Sequence, residues 1–449
     1  MRALAIVLMM ALYAAGYAWS GPHPDSADEL MRGYEIVQGI AFPLQGPPLG
    51  QVLHLGPAWF YLMAPPLLAW KSWLAGALFV GLVASLKFPL AYACGKRLLD
   101  ARFGLLWAAA LLLPGWPTLE QLVFLNPNGV AAAILAVLLL ALRAYEAPRL
   151  RHFAGLGLAL ALAAHVHPNA APAALFVVPV AARFHREGGS LWKAGASFVA
   201  CFALPFLPYL SLQVANGYPD FQSASRYVQG EITAGGLLNA PSIAWHYLST
   251  GPELVAEYLG RWSHSAAATL GIALAGLHVA AALAALVLGD ARVRRLAWRA
   301  LAAVAIFAAW IGAMRVTTPM QFAWALAPAM AAVLALGLYV LGGTRAGRAV
   351  TIALVAAIVL GDVAAWRAMA LRVEDGEGRL PSLVLDIKGR LPPRVFAGGW
   401  FPAWAHDRLG ELLCEAPRPL ALHGRALTNR AVTWQRSADK GRARSTETA

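Results

Sequence analysis

The chain has 449 residues, of which 59% are hydrophobic and 13% are charged, and its formal net charge is +13. Soluble globular domains carry about 25% charged residues, so this composition excludes an ordinary soluble domain and indicates a membrane protein. The basic residues form no single patch that would bind nucleic acid, because they recur in every second segment between the apolar runs.

Eleven apolar runs are predicted to cross a bilayer as helices, since a spanning helix needs roughly 17 to 25 mostly apolar residues. The predicted spans are 3–19, 74–94, 103–118, 128–145, 153–167, 170–184, 193–213, 266–289, 299–314, 321–341 and 349–368. Residues 55–70 are also apolar, but they hold three prolines in sixteen residues and are predicted to form a re-entrant or interfacial helix. The expected fold class is therefore an all-α polytopic membrane protein.

The distribution of Lys and Arg predicts the orientation of these spans. Clusters occur at 96–102, 143–151, 183–193, 292–299 and 345–348, and the alternate loops are poor in them. The positive-inside bias then places the N-terminus in the cytoplasm, and loop 20–73, loop 214–265 and the tail after 368 on the outer side. A cleaved signal peptide is the alternative interpretation of the first run, because Arg2 precedes it and small residues lie near Ala18 and Ser20.

An acidic segment opens the first outer loop. Ser26, Asp28 and Glu29 fit a capping box, with Ser26 as the N-cap and Glu29 at the third helical position. The helix that follows, about 27–39, is predicted to be amphipathic and to lie on the membrane surface. The carboxylates could serve only to complement the helix dipole, but the same position also keeps a carboxylate ionised, as a general base requires.

Composition changes after about residue 370, where the apolar runs end. Residues 371–435 are predicted to form a small extracytoplasmic region, and 436–449 a disordered tail. Residues 1–370 form the predicted membrane domain.

These features resemble the GT-C integral-membrane glycosyltransferases, a class that includes the aminoarabinose transferases of lipid A and the protein O-mannosyltransferases. The likeness is carried by Asp28-Glu29 just beyond the first span, by the proline-initiated aromatic segment 56–65, and by the segment from Pro319 to Pro328. It covers about residues 1–370 and implies the GT-C fold.

The resemblance implies a sugar donor linked to polyprenyl phosphate, and inversion at the anomeric carbon. At matching positions, Asp28 would be the catalytic base that removes a proton from an acceptor hydroxyl or amine. Glu29 would be a capping residue, or a second acid that binds a metal or the acceptor. His54 and Tyr61 are candidates for substrate contact in the same loop.

The second outer loop departs from the family pattern, which in many members has an acid before the fourth helix. This chain has Glu120 and then Asn126-Pro127-Asn128. Glu120 would serve if an acid is required, and otherwise Asn126 or Asn128 would hydrogen-bond a sugar. The alternative is that Asn-Pro-Asn caps a helix start. A divalent metal is therefore an open question.

Basic residues near the predicted outer face are candidate ligands for a lipid phosphate. His165 and His167 stand at the end of the fifth span, and their i, i+2 spacing does not put them on one helical face. His167 is the preferred phosphate ligand, with an interfacial histidine as the alternative, and Arg315 follows the ninth span. Lys87, inside the second span, is predicted to extend toward the cytoplasm or to have a functional role.

Loop 214–265 mixes aromatic residues with sparse charges, which suits either stacking on sugar rings or an interfacial aromatic belt. We therefore predict a glycosyltransferase of a bacterial inner membrane that moves a monosaccharide from a polyprenyl-phosphate donor to a lipid, glycan or protein acceptor of the envelope. A lipid-linked glycan flippase or other transporter is the first alternative. An O-antigen-type polymerase or ligase is the second.

Overall fold

The structure is a computed structural model, and it describes the chain in segments. The described residues are 2–19, 24–49, 53–70, 73–112, 121, 124–223, 225, 240–245, 247–249, 264–313, 324–343, 345, 347–349, 351–353 and 356–357. The predicted regions 371–435 and 436–449 therefore lie outside the described residues, as does most of the eleventh predicted span.

The first part of the chain forms one long helix, a small hairpin and two further helices. The elements are α1 (Arg2–Gly16), which continues into a 3-10 turn (Tyr17–Trp19), α2 (Pro24–Val37), β1 (Pro48–Leu49), β2 (Leu53–His54) and α3 (Ala58–Ala69). The two strands are antiparallel, with Pro48 opposite His54. α2 packs against α3.

The remaining helices form the membrane bundle. They are α4 (Trp73–Ser85), α5 (Lys87–Leu98), α6 (Ala101–Ala110), α7 (Val130–Glu146), α8 (Leu150–Val166), α9 (Val177–Arg186), α10 (Leu191–Ala203), α11 (Leu207–Ala215), α12 (His264–Val287), α13 (Ala291–Ala313) and α14 (Ala327–Leu341). Short 3-10 helices at Asn126–Gly129, Leu204–Phe206 and Trp324–Leu326 precede α7, α11 and α14, and a nine-residue one at Pro168–Phe176 precedes α9. The all-α prediction is confirmed.

Six stretches within the described residues are long and apolar enough to cross a membrane. They are Leu74–Leu98, Asn126–Glu146, Leu191–Ala215, Ala267–Val287, Ala291–Ala313 and Trp324–Leu341. Shorter apolar helices accompany them at Arg2–Gly16, Ala58–Ala69 and Leu150–Val166. The chain is an integral membrane protein.

Close helix approaches in the bundle occur at glycines, where backbones can touch. A Cβ on Gly337 of α14 would lie 2.4 Å from the Cα of Ala281 on α12, and a Cβ on Gly157 of α8 would lie 2.2 Å from the carbonyl oxygen of Phe198 on α10. Small residues at such contacts are the usual basis of helix association in lipid, where apolar burial between helices gives little driving force. α14 lies at the centre, buried along most of its length.

Lys87 does not extend toward the cytoplasm, so that prediction is wrong. Its side chain is 1% exposed at the break between α4 and α5. Its Nζ donates a hydrogen bond to the hydroxyl of Tyr13 on α1 at 2.9 Å and lies 4.0 Å from the centroid of the same ring. A buried ammonium in lipid must find such partners, because leaving it unpaired is costly.

Candidate functional site

The helix that carries the acidic pair begins earlier than the sequence pattern indicates. α2 starts at Pro24, and proline is favoured at the first position of a helix. Ser26 therefore lies inside the helix, and its hydroxyl donates to the carbonyl oxygen of Phe124 at 2.6 Å. The predicted capping box is wrong, because the serine hydroxyl ties α2 to the second outer segment instead.

Glu29 is a buried carboxylate that joins three segments of the chain. Its side chain is 2% exposed. The indole Nε1 of Trp59 on α3 donates to Oε2 at 2.7 Å, and the backbone N–H of Asn126 donates to Oε1 at 3.1 Å. We call Glu29, Trp59 and Asn126 the Glu29 cluster. A buried carboxylate needs such donors to offset its lost hydration.

Asp28 lies next to Glu29 on α2, but its side chain is only partly buried. Successive helical residues project about 100° apart around the axis. Glu29 therefore fixes the rotation of α2, and with it the direction in which Asp28 projects. The two carboxylates have different surroundings, one inside the protein and one at its surface.

The second outer segment is held to the ends of two helices by its asparagines. Asn126 Nδ2 donates to the carbonyl oxygen of Val166, the last residue of α8, at 2.6 Å. Asn128 Nδ2 donates to the hydroxyl of Tyr17 at 2.8 Å. The ends of α1, α3, α7 and α8 therefore meet around the Glu29 cluster.

The two histidines at the end of α8 accept backbone hydrogen bonds through Nδ1. His165 accepts from the N–H of Ala58 at 3.2 Å, and His167 accepts from the N–H of Asn169 at 3.2 Å. A ring nitrogen that accepts carries no proton, so both imidazoles are neutral in this geometry. Both side chains are buried. In this arrangement His167 caps the 3-10 helix that follows α8, and its ring does not act as a cation.

His54 is paired with Asp220, an acid that lies five residues beyond the end of α11. Its backbone N–H donates to Asp220 Oδ2 at 3.0 Å, and its Nδ1 lies 3.1 Å from the same oxygen. Tyr209 of α11 donates its hydroxyl to that oxygen at 3.0 Å, and the Asp220 N–H donates to Gln213 Oε1 at 3.0 Å. The His54 side chain is 33% exposed. Because the carboxylate only accepts, Nδ1 carries a proton and donates it to Asp220.

The surroundings of Asp220 keep it ionised. Burial raises the pKa of Asp220, but hydrogen bonds from the His54 amide, the Tyr209 hydroxyl and the His54 ring outweigh burial and hold it below its usual value. The turn that presents Asp220 passes through two left-handed residues, Gly217 at φ 73° and Tyr218 at φ 62°. A bulky residue at positive φ is an outlier that persists only where its surroundings fix it, often at functional sites.

The remaining predicted site residues fall in different places. Tyr61 lies on α3 with its side chain 38% exposed. Glu120 and Arg315 lie outside the described residues. Within the part of the chain that the structure describes, no three His, Cys, Asp or Glu side chains converge to hold a metal ion.

Sequence reasoning missed two components of the site. Trp59 stands in the sequence as one member of an aromatic helix, and its indole N–H is the donor that makes it a partner of Glu29. Asp220 belongs to a loop in which the sequence assigns no single residue a role. A signal for it exists, since Gly217-Tyr218-Pro219 is a turn that ends on an acid in a loop poor in charge.

Comparison with known proteins gives structural likeness only. No protein-family model matches the chain, and no curated protein matches it. Among solved structures, it is similar to ArnT from Cupriavidus metallidurans bound to undecaprenyl phosphate, at 13% identity and a TM-score of 0.51, covering 91% of this chain and 77% of ArnT. A second is the Archaeoglobus fulgidus oligosaccharyltransferase in complex with zinc and sulfate, at 15% identity and a TM-score of 0.46, covering 81% of this chain and 52% of that one.

The architecture and the ArnT likeness define the class: the chain is a polytopic membrane protein with the GT-C fold. The resemblance stated from Asp28-Glu29 and the aromatic helix is thereby confirmed at the level of the fold.

Proposed function

We propose that the protein is an inverting glycosyltransferase of a bacterial inner membrane, with an extracytoplasmic site. It would move a monosaccharide from a polyprenyl-phosphate donor to an envelope acceptor, with Asp28 as general base. The observation that carries this proposal is the pairing of a buried, fully engaged Glu29 with a partly exposed Asp28 on the same turn of α2. The ArnT structure, which shares the fold, was bound to undecaprenyl phosphate.

The reaction assigned to Asp28 balances without a redox step. A carboxylate oxygen takes the proton of the acceptor hydroxyl or amine, and the acceptor atom forms a bond to the anomeric carbon. The bond between that carbon and the phosphate oxygen breaks, and polyprenyl phosphate leaves with the electron pair. A general base must come within about 2.6–3.2 Å of the atom that it deprotonates, so the rotation of α2 set by Glu29 decides whether Asp28 can act.

The other predicted site residues are assigned to substrate binding or to support of the site. His54, oriented by Asp220 through Nδ1, presents its Nε2 edge to a substrate hydroxyl. Tyr61 offers an exposed ring for a sugar face, and Arg315 is the proposed cation for the donor phosphate. Asn128 and His167 support the site from within, and Glu120 keeps its proposed role as the acid of the second outer loop.

The first test replaces Asp28 with Asn. We expect transfer to fall by at least about 100-fold, the usual contribution of a general base, with unchanged expression and unfolding temperature. Membranes from a deletion strain carrying each variant would be given undecaprenyl-phosphate-linked labelled monosaccharide, and label would be counted in lipid, glycan and protein fractions. Glu35→Gln, on the same helix but paired with Arg32 at the surface, is the matched control. Full transfer by the Asp28→Asn variant would remove Asp28 as the base.

A further inference from the structure

A large cavity lies within the helical bundle, apart from the Glu29 cluster. Its volume is about 780 Å³, and α5, α6, α7, α9, α13 and α14 enclose it. One end is lined by Arg97, Arg292, Arg295 and Arg299 together with Glu146, and we call it the arginine end. The rest is apolar apart from the Tyr145 hydroxyl and the Trp107 indole, with Leu138, Phe176 and Ala332 among its walls.

A single face of α13 runs the length of this cavity. Arg292, Arg295, Arg299, Ala303 and Phe307 all line it, and they follow one another at spacings of three and four residues. Such spacings place side chains on one side of a helix. At 1.5 Å per residue the face is about 22 Å long, and it changes from cationic to apolar along its length. It therefore matches a ligand with an anionic head and a hydrocarbon chain.

Two of the four arginines are already engaged. Arg97 Nη1 bonds to both carboxylate oxygens of Glu146 at 2.6 Å, and Arg292 Nη2 donates to the carbonyl oxygen of Leu98 at 2.6 Å. Arg295 and Arg299 make no ion pair with any residue that the structure describes. The four arginines and Glu146 together give the lining a net charge of +3.

The arginine end and the Glu29 cluster stand at opposite ends of α7. Asn126 of the cluster immediately precedes this helix, and Glu146 at its last residue contacts Arg97. The helix has 17 residues, which separates its two ends by about 25 Å. A phosphate at the arginine end is therefore too far away to be the phosphate of a donor reacting at Asp28.

We propose that this cavity holds one anionic phospholipid, with its phosphate on Arg295 and Arg299 and an acyl chain along Ala303 and Phe307. The positive-inside bias assigns the arginine end to the cytoplasmic face, where anionic lipids attract basic segments. The lipid would fill space between α7 and α13 and so stabilise the packing of these two helices.

The test measures retained lipid on the purified full-length protein by native mass spectrometry with phosphatidylglycerol. Each arginine near an anionic headgroup contributes about fivefold in affinity, so Arg295→Gln with Arg299→Gln should weaken binding about 25-fold. Arg294→Gln is the matched control, because Arg294 is exposed on the same helix and does not line the cavity. Gel filtration and unfolding temperature would confirm that each variant is folded.

A second variant distinguishes a lipid bound inside the cavity from one attracted only by the charge of the arginines. Ala303→Phe narrows the apolar part without changing charge, and it should also reduce retention of phosphatidylglycerol. Equal retention by all variants, or a loss with Arg294→Gln as large as with the double variant, would overturn the site. If the arginine variants lose phosphatidylglycerol but Ala303→Phe does not, the acyl chain does not lie along Ala303 and Phe307. If undecaprenyl phosphate is retained in preference to phosphatidylglycerol, the proposed occupant is wrong. The measurement needs no transfer activity, so it stands apart from the proposed function.

Discussion

Glu29 illustrates how one buried carboxylate organises this site. Its two oxygens accept from donors 30 and 97 positions away in the chain, on α3 and before α7. Hydrogen bonds to a charged group are worth more than neutral ones, and a donor left unpaired in a buried place carries its full desolvation cost. The bonds of Glu29 therefore help to hold Asp28, its neighbour on α2, in position.

We predict that Glu29→Gln destabilises the protein by about 1–3 kcal/mol and also lowers transfer. The new amide has only one oxygen, so its NH2 group must face either the Trp59 indole N–H or the Asn126 backbone N–H. Thermal unfolding in detergent measures the first effect and labelled-sugar transfer the second. Trp59→Phe removes just one of the two bonds and should cost less than Glu29→Gln. A Glu29→Gln variant as stable and active as the parent would mean that the carboxylate does not set the position of α2.

Asp220 should make the stability of the protein depend on pH. Its pKa is lowered in the folded protein, so its contribution is complete above the ordinary aspartate pKa of about 3.9 and is lost as pH falls through the lower folded value. We expect the parent to be more stable than Asp220→Asn at pH 7, with the difference shrinking at acid pH. Unfolding temperatures of both proteins between pH 7 and pH 3 measure it. A difference that stays constant across this range would contradict the pairing of Asp220 with His54.

The sequence identifies the acidic pair but does not show which of the two carboxylates is buried and which is partly exposed. Position after the first span and a helical pattern are enough to select Asp28 and Glu29. Their environments depend on contacts from segments that no local pattern connects, such as the Asn126 amide beside Glu29 or Asp220 beside His54, 166 residues away. Which carboxylate is buried is therefore a property of the tertiary structure.

At the scale of elements, the approach of the segment before α3 to α8 depends on a glycine. The backbone of Gly56 packs directly against the ring of His165, and a Cβ on Gly56 would lie 1.9 Å from Cε1 of that ring. Ala58, two residues on, begins α3 and donates to the same ring. The absence of a side chain at position 56 thus lets α3 start where Trp59 can reach Glu29.

We predict that Gly56→Ala destabilises the protein by about 1–3 kcal/mol, the usual cost of overpacking, and reduces transfer by displacing α3. Gly155→Ala is the control on α8 itself, since nothing lies within 4 Å of a Cβ there. Alanine should be neutral or stabilising at that helical position, by about 0.5–1 kcal/mol. Unfolding temperature and transfer should be measured for both. Equal behaviour of the two variants would show that the loop can move away from His165.

The apolar runs predict the helices well and their ends less well. Hydropathy starts the ninth span at residue 299, but α13 begins at Ala291. Asp290 accepts from the N–H groups of Arg292 and Val293, both at 2.8 Å, and so starts the helix before the arginines. Hydropathy ends a span where charge begins, although basic residues are good helix formers. This extension of α13 aligns Arg292, Arg295 and Arg299 along one side.

At the scale of the whole molecule, acidic and basic side chains are concentrated at opposite ends of the helical bundle. Carboxylates and aromatic rings gather where α1, α3, α7 and α8 meet, and guanidinium groups gather at the opposite end of α7. The alternation of charge in the sequence anticipates this separation, because each span reverses direction. It could not anticipate the cavity between α7, α13 and α14, which depends on the volumes of side chains brought together from distant positions.

The contact between Lys87 and Tyr13 has a consequence for biosynthesis. A lysine near the middle of a span raises the free energy of inserting that span alone by about 2.5–3.5 kcal/mol. Its hydroxyl partner, Tyr13, lies on α1, which leaves the ribosome before the second span. The second span is therefore more favourable in lipid beside the first, and we expect the two to associate early in membrane insertion.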